Sequence, residues 1–101
     1  MDTLSRTFPF SKGLMLNVLY DTLEKTGFSL DSANSERGTL IVSSSDSPNH
    51  RIRIACERSV SENQSIIRIF PAIMDNAGRQ RAEMLMEEIM STVKQSIENH
   101  V

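Results

Sequence analysis

The chain has 101 residues, 39% of them hydrophobic and 24% charged, with four glycines, three prolines and a formal net charge of -2. These proportions describe one globular domain over 1–101 with room for a two-layer core, and they exclude disordered, collagen-like and strongly basic classes. The slight acidity predicts no generic attraction to nucleic acid or to anionic membranes. Cys56 is the only cysteine, so no internal disulfide forms. The longest apolar runs, Leu14-Met15-Leu16 and Leu40-Ile41-Val42, are far too short to span a membrane. The opening MDTLSRTFPF has neither the basic start nor the apolar stretch of a signal peptide, which makes a cytoplasmic location the expectation.

Leu4 to Phe10 reads as a first strand, with Leu4, Arg6, Phe8 and Phe10 on one side. Pro9 lacks an N–H donor and places this strand at an edge or at its own end. Ser11 offers a side-chain oxygen as N-cap of a first helix over Lys12–Thr26, which Gly27 closes at C′. Within that helix Leu14, Met15, Leu16, Val18, Leu19, Tyr20 and Leu23 sweep roughly 240°, more apolar arc than one sheet covers.

Phe28 to Ala33 is the second strand, with Phe28 and Leu30 expected on its core face. Asn34 to Gly38 is a turn in which Gly38 is suited to positive φ. Thr39 to Ser44 is the third strand, and Ser45 to Asn49 reads as a polar loop. Strand four, His50 to Val60, alternates cleanly: Ile52, Ile54 and Cys56 point one way, and Arg51, Arg53, Ala55 and Glu57 the other. After a turn at Ser61–Gln64, strand five runs from Ser65 to Ile73 with Ile67, Ile69 and Ile73 on one face and Ile66 and Phe70 on the other. A strand apolar on both faces belongs in the interior of a sheet. Asp75 or Asn76 caps a second helix over Ala77–Glu98, whose stripe is Ala82, Leu85, Met86, Ile89, Met90, Val93 and Ile97; Met84 lies among its charged positions.

The order β-α-β-β-β-β-α implies an α+β fold. Short connections make strands two to five an antiparallel meander, and an interior strand five puts strand one beside it. The expected sheet is five-stranded and mainly antiparallel in the order 2-3-4-5-1, with both helices on one face. Four inter-strand gaps of ~4.8 Å span about 19 Å, and fifteen helical residues of ~1.5 Å span about 22 Å, so the first helix reaches across.

The layout and the segment LEKTGFSLDSANSERGTLIVSS (Leu23–Ser44) resemble small bacterial TBP-like or helix-grip modules, among them the small domains of outer-membrane-assembly lipoproteins. The resemblance covers most of the chain in element order and implies this same fold. It carries over no functional residue, and the chain departs from the lipoprotein members in having no lipidated cysteine.

Little in the residues points to catalysis. His50 and His100 stand apart, as loop and tail residues, and with Cys56 they offer no metal-ligand spacing. No Gly-x-Ser-x-Gly elbow or phosphate-cradling glycine turn occurs. Cys56 shares its face with Ile52 and Ile54 and reads as a small core hydrophobe. Glu83, Glu87 and Glu88 follow the solvated face of the second helix. The expectation is therefore no catalytic residue, no metal and no cofactor.

The remaining constellation is Arg51, Arg53, Ile66, Arg68 and Phe70 on the open sheet face, with Ile41 as a neighbour. Apolar residues rimmed by arginine mark protein interfaces, which favours an interaction or assembly module that docks a protein partner or forms a homodimer. Arginines beside an aromatic also suit single-stranded nucleic acid, although one aromatic and an acidic chain weigh against it. Those arginines could equally do no more than solubilise the face while pairing with Glu57. A third reading places an apolar ligand between the first helix and the sheet, lined by Met15, Met86 and Met90.

Overall fold

Side-chain alternation along the strands decides the layering of this protein. The structure, a computed structural model, describes residues 4–44, 47–60, 63–73 and 75–99. The chain runs β1 (Leu4–Phe8), α1 (Lys12–Thr26), β2 (Phe28–Asn34), β3 (Thr39–Ser44), β4 (Ser47–Arg58), β5 (Ser65–Pro71) and α2 (Asn76–Asn99). The strands form one sheet in the order β1-β5-β4-β3-β2, every neighbouring pair antiparallel. This is the α+β arrangement expected from element order.

Leu40 and Val42 of β3, Ile52, Ile54 and Cys56 of β4, and Ile67 and Ile69 of β5 share one face and are buried. They form a single core with Met15, Leu16, Val18, Leu19 and Leu23 of α1 and Ala82, Leu85, Met86, Ile89 and Val93 of α2. Both helices therefore cover the same side. Each large side chain removed from water here contributes roughly 1.5–3 kcal/mol. The helices are tied laterally by a buried hydroxyl relay: Thr22 Oγ1 donates to Thr92 Oγ1 (2.9 Å), which donates to the Glu88 carbonyl (3.0 Å). Lys25 Nζ donates to Gln95 Oε1 at 2.8 Å in the same seam.

Gly27 and Gly38 hold φ of 78° and 73°, where a Cβ is strained. Gly27 donates to the Leu23 carbonyl (3.1 Å) and ends α1. Gly38 is additionally pressed against β4: its carbonyl accepts from Cys56 N (2.6 Å), and a Cβ there would collide with the Cys56 carbonyl. Lys12 Nζ reaches the Glu36 carbonyl at 2.8 Å and pins the β2–β3 turn to the start of α1.

Several expectations are corrected. β1 stops at Phe8, because Pro9 cannot continue the ladder. Ser11 takes extended N-cap geometry, but its side chain makes no capping bond. Leu30 shares the inner face with Val42, its partner in register, but is 43% exposed, since β2 is an edge strand and the helices do not cover it there. β4 begins at Ser47, with Ser44 paired to Ser47, so most of the expected Ser45–Asn49 loop is strand; Ser45 and Asp46 lie outside the described residues. His50 accordingly stands in β4 and not in a loop, while His100 lies outside the described residues. β4 ends at Arg58, short of Val60.

β5 ends at Pro71, which leaves Ile73 exposed. On α1 the buried arc narrows to about 160°, with Leu14 at 56% exposure outside it. Met90 and Ile97 also leave the expected stripe; they stand on the flank of α2 turned away from Thr92 and Gln95, hence away from α1. Asp75 is the α2 cap, its Oδ1 accepting from Gly78 N at 2.7 Å.

Two outcomes follow from this packing. Gly38→Ala combines positive φ with the contact against Cys56, and should lower unfolding free energy by more than about 1 kcal/mol, read as a reduced urea midpoint at unchanged slope. Cys56 is enclosed, and burial raises its thiol pKa, with the Lys12 charge opposing. A raised pKa stabilises the fold below the ordinary thiol range and loses that contribution as pH climbs through it, from about 8.5 upward. Wild-type stability should therefore decline there more steeply than that of Cys56→Ala in parallel urea titrations.

Candidate interaction surface on the open sheet face

The face opposite the helices is set by the same alternation. Across it, Ile41 of β3, Arg53 of β4 and Phe70 of β5 are aligned in register. One level on, Thr39, Ala55, Arg68 and Ser5 align, and beyond them Glu57, Ile66 and Thr7. The structure thus brings Arg51, Arg53, Ile66, Arg68 and Phe70 together on one surface. Ile41, Ile66, Arg68 and Phe70 are half-buried, whereas Arg51, Arg53 and Glu57 are exposed.

Each arginine on this face is engaged. The Arg53 guanidinium lies 4.4 Å from the Phe70 ring centroid, a cation–π contact that ties the two side chains together across β4 and β5. Arg68 Nε is 3.1 Å from Glu57 Oε2, its diagonal neighbour on β4. Arg51 Nε is 3.6 Å from Asp31 Oδ2, two strands away. That reach carries the Arg51 side chain over β3, and Ser43, opposite Arg51 in register, is correspondingly buried. Such exposed pairs stabilise little, but they cancel most of the positive charge locally. Ile41, Arg51, Arg53, Phe70, Pro71 and Ala72 line a shallow depression of about 320 Å³.

Two parts of this surface were not legible in the chain. Asp31 becomes the partner of Arg51 because the β2 irregularity falls at that residue, and nothing in SLDSAN marks the bulge. Pro71 and Ala72 join the depression because Ala72 N still donates to the Arg51 carbonyl (2.9 Å) after β5 has ended. The apolar excess expected here is also smaller than the residue types suggest. The strongly exposed large hydrophobic residues lie elsewhere, among them Leu14, Met84 and Ile97.

The other candidate chemistry is scattered or enclosed. Met15 and Met86 are packed in the core while Met90 is 36% exposed, so the three do not line one cavity. The Cys56 thiol has the Ser65 hydroxyl as a polar neighbour, itself sealed from solvent and with no other hydrogen-bond partner among the described residues. Among the described residues no three His, Cys, Asp or Glu side chains gather as metal ligands, and no helix is long and apolar enough to cross a membrane.

No protein-family model matches this chain, and neither does any curated protein. Among solved structures it is similar to the crystal structure of an uncharacterized protein from Bacillus thuringiensis. The two share 11% sequence identity at a TM-score of 0.66, over 94% of this chain and 96% of the other. At that identity the likeness is one of fold alone.

Proposed function

We propose that this protein is a non-enzymatic interaction or assembly module that docks a protein partner, or another copy of itself, through the open face of its sheet. The observation carrying this reading is the Ile41–Arg53–Phe70 row, an aromatic and an aliphatic residue bracketing an arginine that stacks on the aromatic ring. Aromatic and arginine side chains are the usual anchors of protein interfaces, and pre-ordering them lowers the entropy lost on binding. Pairing of Arg51 with Asp31 and of Arg68 with Glu57 leaves little net charge for a phosphate backbone, which favours a protein over a nucleic acid. The resemblance to TBP-like and helix-grip modules agrees with a scaffold whose helices occupy one sheet face and leave the other free.

Phe70→Asp should remove the anchor without touching the core. The expected result is loss of self-association in light scattering, or of photocrosslinks placed from position 68 to a foreign protein. Crosslinks that arise equally from position 84 on the outer face of α2, and that survive Phe70→Asp in a folded protein, would overturn the assignment of this face.

A further inference from the structure

We infer that the occupant of the open face is a second copy of this chain, docked face to face about a two-fold axis that runs between the two faces, parallel to the sheet and perpendicular to the strands, between the Arg53/Phe70 and Ala55/Arg68 levels. This rests on the reading of the open face as a docking surface and adds the partner and its register.

The argument is one of self-complementarity. Outward residues along β4 are Arg51, Arg53, Ala55 and Glu57; those facing them on the β5 side, level by level, are Ala72, Phe70, Arg68 and Ile66. Turned end for end about the stated line, Arg51 of one copy falls over Glu57 of the other, Arg53 over Ala55, Phe70 over Arg68, and Ile66 over Ala72. Each of these β4 and β5 positions has directly opposite it an opposite charge, a cation–π partner, a small residue or an apolar one. Both strands are complementary about the same line because Arg53 is paired with Phe70 and Ala55 with Arg68. An axis parallel to β4 would instead set Arg51 over Arg51 and Arg53 over Arg53, a like-charge contact that interfaces avoid.

The arrangement also fits how sheets and symmetric dimers are built. Strand directions of the two copies stay nearly aligned, as in stacked sheets, and the contact is isologous, so each complementary pair occurs twice. The side chains that must exchange partners are accessible: Arg51 is 67% and Glu57 49% exposed. Their present ion pairs lie at the surface, where such pairs are weak and exchange at little cost.

The test is a charge swap read by sedimentation equilibrium, with circular dichroism confirming the fold of each variant. Arg51→Glu alone and Glu57→Arg alone each place two like-charge contacts in the homodimer and should weaken it about tenfold or more. An equimolar mixture of the two variants restores Arg–Glu contacts at both sites and should dimerise within about threefold of wild type. A mixture no tighter than the separate variants overturns the register. If Phe70→Asp still abolishes that dimer, the face stands as the docking surface in another geometry. A wild-type chain that is monomeric at every concentration overturns the second copy as occupant while leaving the face open to a different protein. A dimer indifferent to all three substitutions overturns both readings.

Discussion

The pairing of β1 with β5 is the constraint on which the rest of the structure depends. It joins the first strand to the last, Leu4 opposite Ile69 and Phe8 opposite Ser65, and it encloses β5 between two neighbours. Only then are Ile67 and Ile69 sealed under the helices. The same pairing obliges α1 to travel from one sheet edge to the other, which lays it across the inner face beside α2. Loop closure over more than half of the chain is entropically costly, and the return is the apolar area covered by both helices. The Thr22–Thr92 relay is a secondary consequence, a pair of buried hydroxyls that satisfy one another where the helices meet.

The division of labour between the two sheet faces follows directly. The inner face is mainly aliphatic, with Cys56, Ser65 and Phe8 among its buried residues, and close packing there tolerates little change. The outer face uses the same strands for a different composition. There, Arg53 lies over Phe70 while Arg51 and Arg68 stand beside Asp31 and Glu57, so the surface is mixed in charge and its side chains hold one another. The one thiol is shut inside the core with its pKa raised by burial.

Much of this was readable from residue pattern. The alternation of Arg51-Ile52-Arg53-Ile54 announced which side of β4 meets the helices, Gly27 and Gly38 marked the two left-handed positions, and the doubly apolar Ile66–Phe70 run announced an interior strand. The misreadings were at edges and ends. Leu30, Ile73, Met90 and Ile97 are apolar residues at plausible spacing, yet each stands where the neighbouring layer stops. Periodicity reports which way a side chain points and carries no information on how far the opposing layer extends. The Arg51–Asp31 pair was hidden for a related reason, since a bulge rotates one residue out of phase with the pattern that reveals the strand.

By itself the amino-acid sequence determined the element order, the sheet order and the identity of the two faces, because backbone propensity and the two- and 3.6-residue periods are local properties. Tertiary structure alone decided the ion pairs on the outer face, the stacking of Arg53 on Phe70 and the exposure of Leu14, Leu30 and Ile97. Those depend on distances between strands and on where each layer ends, which the chain settles only once β1 has found β5.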